Sequence, residues 1–377
     1  VLTVRVVDRL AEIDRAEWDG VGRDPFSRTA VLEALEAAGM PGVRLWYATV
    51  RDDRGCLVAA APFARIAIDA GRLTHGAFRG GIRWVRAVRP GFLHTALLVC
   101  GTPLSVGNVP VRLASAADSE PVFRLLAGAL DDLGDAEHVP WRVFKEFDAV
   151  QIDAARATLT TLRRRWMVVP SEPGNCVHVT WHSFDEFLHG LRSHYRYKIR
   201  TAARRLADAG VTVDRVPLAS AYDDEAHRLY EAVVDAAQIE LERLTPAFFL
   251  ALGRAAGTAA TLVRFWQGAE LIGWVATLHD GDTLYDLFHG IDYARNEVLA
   301  LYFNQLAEVI RLGADLGAQR VVLGQSTDTA KARFGAVSVP LWVAIAHRTS
   351  AVTGAMRRAE RLLFPSAAPV RRRVFRG

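Results

Sequence analysis

The sequence predicts an α/β (α+β) protein of two similar domains in tandem, each a mixed, mainly antiparallel sheet flanked by helices. Three observations lead to that fold class. Short apolar runs that alternate at a period of two are interleaved with segments whose apolar residues recur at helical spacing. Each half orders these elements alike (helices, an antiparallel strand pair, a helix, another strand) without repeating the residues themselves. The length of 377 residues suits one large or two ordinary domains. The expected bounds are 1–165 and 166–350, followed by a basic helix or tail over 351–377.

The first half opens on a strand over residues 2–7 and a helix holding Ile13 and Trp18. Val31, Leu32, Leu35 and Ala38 mark a helix after Pro25-Phe-Ser27, and Gly39 stops it. Strands over 43–50 and 56–68 flank a polar turn. From Gly71 to Gly107, Gly and Arg interleave with aromatics, which reads as a long functional loop with one short strand at 95–99. A helix over 117–133 and a strand over 142–147 close this half.

A helix over 154–162 leads into the second half, where a strand at 176–180 precedes one long helix over 184–209. Gly210 stands where a C-terminal capping glycine belongs. A strand (211–216), a helix (222–238) and a helix begun by Thr245-Pro246 follow. Then come strands at 262–266 and 271–278 around a short hairpin turn, a strand at 283–291, a helix capped by Asn296, a strand at 320–323, the polar loop 325–336 and a last strand.

Composition narrows the function classes. Apolar residues make up 51% and charged residues 23%, which argues against disorder. Lys and Arg number 46 against 42 acidic residues, and Arg supplies nearly all of the positive charge, in clusters. That permits a phosphate-bearing partner. Cys56, Cys100 and Cys176 are widely spaced and form no metal-ligand pattern, so neither a zinc site nor a disulfide-linked partner is expected. The first residues alternate like a strand rather than a signal peptide, and no window of about 18 apolar residues occurs. The expectation is a cytoplasmic protein with no membrane span. Patterns for nucleophilic serine, dinucleotide, P-loop, zinc-protease or EF-hand chemistry are absent.

The remaining candidates lie in the second half. With strict alternation, Tyr285 and His289 share one face of their strand, and Asp286 joins them only if a bulge intervenes, for which Gly290 offers a place. Tyr285 and His289 then form an acid/base pair for deprotonating an amine, or His289 is a structural histidine. A helix starting at Asn296 presents free N–H groups to an anion. Lys331 and Arg333, two apart in an extended loop, face one side and can bind phosphate or steady an oxyanion, or are solvated charges. Arg192, Arg196, Arg200 and Arg204 recur at every fourth position as one basic stripe, suited to a polyanion or to acidic partners elsewhere in the fold. Around Trp84, aromatics and arginines alternate in a manner that fits stacking on a base or sugar, or an ordinary anchored loop.

These residues carry a resemblance. The second half, about 175–348, resembles the GNAT-like acyltransferases of the FemAB/FemX type, including the type-6 acetyltransferase domain. The points of similarity are the basic helix over 191–206, the strand ending Phe288-His-Gly-Ile-Asp292, the helix after it, and Lys331-Ala-Arg-Phe-Gly335, which is similar to a K-x-x-[FW]-G segment. The first half, with Pro25-Phe-Ser27 and the run Leu57 to Pro62, resembles the N-terminal domain of Fem-like proteins. The resemblance implies two GNAT folds in tandem and transfer of an acyl or aminoacyl group to an amine. The donor would be aminoacyl-tRNA or acyl-CoA, a co-substrate rather than a tightly bound cofactor. The usual GNAT pyrophosphate loop, R/Q-x-x-G-x-G/A, should precede the helix at Asn296, but the chain reads Asp292-Tyr-Ala-Arg-Asn-Glu-Val and has no glycine there. Fem-like enzymes that use aminoacyl-tRNA lack that loop too. Ala330 departs from the pattern, since many relatives place an aromatic there.

The expected function is therefore an N-acyltransferase moving an aminoacyl group from the acceptor end of a tRNA to an amine-bearing small molecule or cell-wall precursor. The alternatives are a CoA-dependent enzyme and a non-catalytic binding module. His289, Tyr285 and Lys331 are the catalytic candidates. Arg196, Arg200, Arg204, Asn296 and Arg333 would hold the donor, and Trp84, Gln325 and Ser326 the acceptor.

Overall fold

Two sheets form from the alternating runs. The computed structural model describes every residue except 70–93, 105, 108, 116, 163–165, 238–242, 327, 365–371 and 377. In the first sheet, β1 (Thr3–Val7), β2 (Arg44–Arg51), β3 (Leu57–Asp69), β4 (His94–Cys100), β6 (Trp141–Phe147), β7 (Met167–Pro170) and β15 (Trp342–His347) lie in the order β1-β2-β3-β4-β6-β15-β7, with β5 (Arg112–Leu113) beside β3. The second sheet contains β8 (Gly174–His178), β9 (Val211–Pro217), β10 (Ala260–Gln267), β11 (Glu270–Asp280), β12 (Thr283–Ile291), β13 (Arg320–Val322) and β14 (Val337–Val339). Its order is β14-β8-β13-β12-β11-β10-β9.

Counted from β1 and from β9, the two sheets share one pairing plan. Three antiparallel pairs are followed by one parallel pair, β4–β6 or β12–β13, and then two antiparallel pairs. A parallel pair needs a crossover, and helices supply it. Helix Ser119–Ala136 lies between β4 and β6, and helices Tyr293–Leu299 and Leu301–Asp315 lie between β12 and β13. The repeated element order thus reflects a repeated hydrogen-bonding plan.

The chain divides into two compact units, chiefly Val1–Ser171 with Pro340–Ser366, and Glu172–Ala237 with Leu244–Val339 and the last residues. This differs from a simple cut at 165 and 350, because β15 pairs with β6 and β7 and so belongs to the first sheet. The first unit packs Phe63, Phe123, Phe144, Phe147 and Trp166 between sheet and helices. In the second, one sheet face packs Val263, Leu284 and Val321 against Val309 and Ile310 of helix Leu301–Asp315, called the long helix below. Tyr222, Tyr230, Phe249, Trp274 and Phe288 stack together as an aromatic layer, and helices Asp224–Ala236 and Pro246–Ala256 contribute Tyr230 and Phe249 to it.

Several local expectations change. The helix expected over 184–209 is two, Phe184–Gly190 and Ser193–Asp208. Leu191 and Arg192 between them are extended because their backbone pairs with residues near Phe375. Among the described residues the tail is helical over Ser350–Arg358 and Glu360–Leu363, and residues 372–376 are not helical. The polar loop 325–336 contains two tight turns of helix, Asp328–Lys331 and Ala332–Phe334. Asn296 does not start the helix after β12. Asp292 caps Tyr293–Leu299, and Asn296 instead accepts from the N–H of Tyr302 at 3.0 Å, across the break at Ala300.

Gly290 faces Trp274 across the β11–β12 ladder. A Cβ on Gly290 would lie 2.0 Å from the indole Nε1, and that N–H donates to the Ala226 carbonyl at 2.8 Å. The buried ring cannot step aside without losing this bond. Gly290→Ala is therefore expected to destabilise the protein by about 1–3 kcal/mol, read as a lowered thermal midpoint; an unchanged midpoint would contradict the packing.

Candidate functional site

The site starts from one extra residue in β12. The β11–β12 register runs Ala276↔Phe288 and then Thr277↔Asp286, so Leu287 is left without an opposite number. A bulge of this kind reverses which side chains share a face. Asp286 and His289, three apart, come together: His289 Nε2 lies 3.0 Å and 3.2 Å from the two Asp286 carboxylate oxygens. The conditional bulge of the sequence reading therefore exists, at Leu287 rather than Gly290. The same reversal puts Tyr285 on the other face from His289, so the expected Tyr285–His289 pair is not formed. Asp286 takes the place given to Tyr285.

The other imidazole nitrogen is also engaged. Gln305, fully buried in the long helix, donates from Nε2 to the Gly290 carbonyl at 2.9 Å, which turns its Oε1 toward His289 Nδ1, also at 2.9 Å. Gly273 makes room for this amide, since a Cβ there would sit 2.9 Å from Gln305 Nε2. Both imidazole nitrogens thus face acceptors, a carbonyl oxygen and a carboxylate. The Asp286 side chain is 1% exposed and that of His289 15%, so the imidazole is the accessible end of the couple. Tyr302 lies edge-on to it at 5.1 Å.

At the same place β12 loses its neighbour. β13 pairs with it only at Thr283, Leu284 and Tyr285, and residues 286–291 continue with no strand on that side among the described residues. The chain leaving β13 instead stays with β8: Leu323 N–H donates to the Asn175 carbonyl at 2.8 Å, and Asn175 N–H to that of Gly324 at 2.9 Å. Gly324, at φ +67°, turns the chain there. The two strands part beside Asp286. In the first sheet β4 and β6 remain paired through Cys100↔Phe144, where β4 ends.

Gln325 and Ser326 follow that divergence. Gln325 donates to the Glu172 carbonyl at 2.7 Å, and Ser326 is exposed in the left-handed region at φ +60°. Lys331 is not the solvated cation that an extended loop would present. It is 3% exposed and donates from Nζ to the Gln325 carbonyl at 2.6 Å, holding the 325–326 turn from beneath. Because 331 and 333 lie on consecutive helical turns, they do not share a side. Arg333 is half-buried, and its Nε has no hydrogen-bond partner among the described residues. Trp84 lies outside the described residues.

Arg196, Arg200 and Arg204 lie on helix Ser193–Asp208, whose buried stripe is Ile199, Ala202 and Leu206. Arg200 and Arg204 are exposed and Arg196 half-buried, bonded at 3.5 Å to the His189 carbonyl. Among the described residues none of the three meets a carboxylate. Tyr197, 70% exposed, stands beside the stripe, three residues before Arg200, a feature the charge pattern overshadowed. Asn304 ties this helix to the site, donating to the Ala202 carbonyl at 3.1 Å from the position next to Gln305.

Other chemistry is poorly served. Burial pushes the Cys100 and Cys176 thiols up, away from the thiolate a nucleophile needs. No cluster of His, Cys, Asp and Glu among the described residues is arranged to hold a metal ion, and no helix among them is long and apolar enough to cross a membrane.

Comparison with known proteins gives the following. A model of the FemAB-like family, described as peptidoglycan biosynthesis/recognition, matches residues 9–309. No curated protein matches the sequence. Among solved structures, the C-terminal domain of a putative lysylphosphatidylglycerol synthetase from Agrobacterium fabrum superposes with a TM-score of 0.53 at 10% identity, covering 96% of this chain and 99% of that one. FemX superposes at 0.51 and 12% identity, covering 90% and 96%. A tandem GNAT protein from the clavulanic acid biosynthesis pathway superposes at 0.50 and 14%, covering 92% and 98%. The likeness to these structures is one of fold, two GNAT-type units in tandem.

The buried couple generates a prediction. Asp286→Ala leaves His289 facing an apolar gap and is expected to cost about 3–5 kcal/mol. Adding His289→Ala should cost much less than it does alone, giving a coupling of roughly 1–3 kcal/mol in a double-mutant cycle. Denaturant unfolding measures it, and strictly additive effects would show that the two do not interact.

Proposed function

The chain belongs to the FemAB-like family and is an acyltransferase, and from that premise we propose that it moves an aminoacyl group from aminoacyl-tRNA to an amine on a small molecule or cell-wall precursor. The observation that carries the donor half of this reading is the arginine helix. Arg196, Arg200 and Arg204 have no acidic partner among the described residues, and a row of uncompensated guanidinium groups suits phosphates. Tyr197 among them offers a face on which an unpaired base can stack. The family description, peptidoglycan biosynthesis, favours a cell-wall precursor as acceptor.

The reaction needs little from the protein beyond placement and proton management. The amine nitrogen attacks the ester carbonyl, the carbon–oxygen bond to the terminal ribose breaks, and one proton moves in net from nitrogen to the departing oxygen. We assign that transfer to His289, the more exposed member of the Asp286–His289 couple, one ring nitrogen of which exchanges its present partner for the substrate. Lys331 acts through the turn it holds by its bond to the Gln325 carbonyl, which fixes Gln325 and Ser326 for the acceptor. The rival donor, acyl-CoA, would place its pyrophosphate at the helix after β12. That helix end already holds the Asp292 carboxylate, which accepts from Ala294 N–H at 2.9 Å.

A screen of charged tRNAs against acyl-CoAs, with product detected by mass, decides the donor. Turnover with charged tRNA is expected; turnover with acyl-CoA alone would overturn the donor assignment. Within the tRNA reaction, Arg200→Gln/Arg204→Gln should raise KM about tenfold or more with kcat nearly kept, and should flatten the salt dependence of binding by roughly 0.7–0.9 per arginine. His289→Gln should instead lower kcat by about 10²–10⁴.

A further inference from the structure

The extended segment over residues 372–376 is built into the second unit. The break between helices Phe184–Gly190 and Ser193–Asp208 leaves backbone groups that the segment satisfies. Arg192 N–H donates to the Val374 carbonyl and Arg376 N–H to the Gly190 carbonyl, both at 2.9 Å, around an antiparallel bridge Leu191↔Phe375. Arg192 Nε also reaches the Phe375 carbonyl at 3.2 Å. Val374 is 1% exposed. The Phe375 ring lies 5.7 Å from Trp181 and 6.1 Å from Phe187. Beneath it is Gly335, where a Cβ would come within 2.3 Å of the ring. The glycine that ends Lys331-Ala-Arg-Phe-Gly335 is thus the floor of this docking site.

Docking uses Val374, Phe375 and the backbone. It does not use the side chains of Arg372, Arg373 and Arg376, which are exposed and have no acidic partner among the described residues. Yet docking sets them beside the start of the arginine helix, where Arg192 and Arg196 already concentrate positive charge. The antiparallel sense of the bridge carries Arg373 and Arg372 toward the first turn of that helix. Gathering like charges costs energy in the free protein, and a bound polyanion offsets it.

We propose that this docked segment is a second strip of the RNA-binding face, with Arg372, Arg373 and Arg376 contacting phosphates that lie beyond those held by Arg196, Arg200 and Arg204. This rests on the aminoacyl-tRNA reading above and extends the contact from the helix to a separate part of the chain. A nucleic acid fits better than a lipid surface. The cations form a line, about 18 Å along the helix from Arg192 to Arg204, continued by the segment. Its apolar residues point into the protein and are not available to enter a bilayer.

The test uses the full chain and deacylated total tRNA, with binding titrated against potassium chloride. For Arg372→Gln/Arg373→Gln/Arg376→Gln, affinity at about 100 mM salt should fall roughly tenfold, and the slope of log K against log salt should flatten by about 2. The thermal midpoint should not move. Phe375→Ala, which releases the segment, should lose the same slope and also lower the midpoint. If the triple variant keeps affinity and slope while Arg200→Gln/Arg204→Gln loses them, the segment is not part of the face and the donor reading stands. If the unaltered protein does not bind tRNA, both fail. If the triple variant loses binding to phosphatidylglycerol vesicles but not to tRNA, the surface is a lipid-facing one and the proposal is overturned.

Discussion

Leu287 is the residue on which the His289 site depends, although it takes no part in chemistry. Side chains on a strand alternate, so one unpaired residue exchanges the two faces for everything beyond it. Before Leu287, Leu284 and Asp286 face the long helix. After it, His289 faces the long helix too, while Phe288 packs with Phe249 and Tyr230 in the aromatic layer on the other side. Without the extra residue, His289 would point into that aromatic layer and Asp286 would have no ring to meet. The bulge also falls where β13 stops pairing, at Tyr285. One irregularity therefore assembles the Asp286–His289 couple and sits beside the point where β12 and β13 part.

What keeps the couple in register with the basic surface is a pair of buried amides in adjacent positions. Gln305 is committed at both ends, to Gly290 and to His289. Asn304 grips Ala202 on the arginine helix and also lies 3.0 Å and 3.1 Å from the carbonyls of Leu299 and Ala300, where the chain breaks between two helices. Buried amides of this kind are costly unless every bond is made, so each fixes the geometry around it. The long helix thus holds the imidazole from one residue and the arginine helix from the next. A ligand ordered along the arginines is then ordered with respect to His289 as well.

These particulars show where the sequence was legible. Helix 29–38 and its stop at Gly39 followed from local pattern, as did the hairpin of β10 and β11 and the cap glycine at 210, because each depends on neighbours a few residues away. The tandem plan was legible as an element order before any pairing was known. What failed was non-local. The break at Leu191 and Arg192 is imposed by residues more than 180 positions further on, while local propensity there favours helix. β15 follows the second sheet in sequence and pairs in the first. Strict alternation grouped Tyr285 with His289, and only the ladder opposite reveals the bulge that separates them. Lys331 read as an exposed cation because burial of an ammonium needs an acceptor, and the one it found, the Gln325 carbonyl, is a backbone atom that no side-chain pattern announces.

The choice between a CoA and a tRNA donor comes down to where phosphate is electrostatically welcome. A helix N-terminus following the central strand is ordinarily such a place, since its free N–H groups carry partial positive charge. Here Asp292 occupies it, and Arg295, which might otherwise add a cation, is bound to Asp292 and to Glu270, whose carboxylate oxygens lie 2.9 Å and 2.7 Å from it. Two carboxylates and one guanidinium leave that corner negative on balance. An incoming pyrophosphate would have to displace an anion already seated, and it would find no glycines letting it near the backbone. The arginine helix presents the reverse, cations without counter-ions among the described residues, on an element that Asn304 fixes to the same helix as Gln305. On the reading proposed above, a donor whose phosphates lie along the arginines while its ester reaches His289 satisfies both constraints. An RNA strand ending in an esterified ribose has that form.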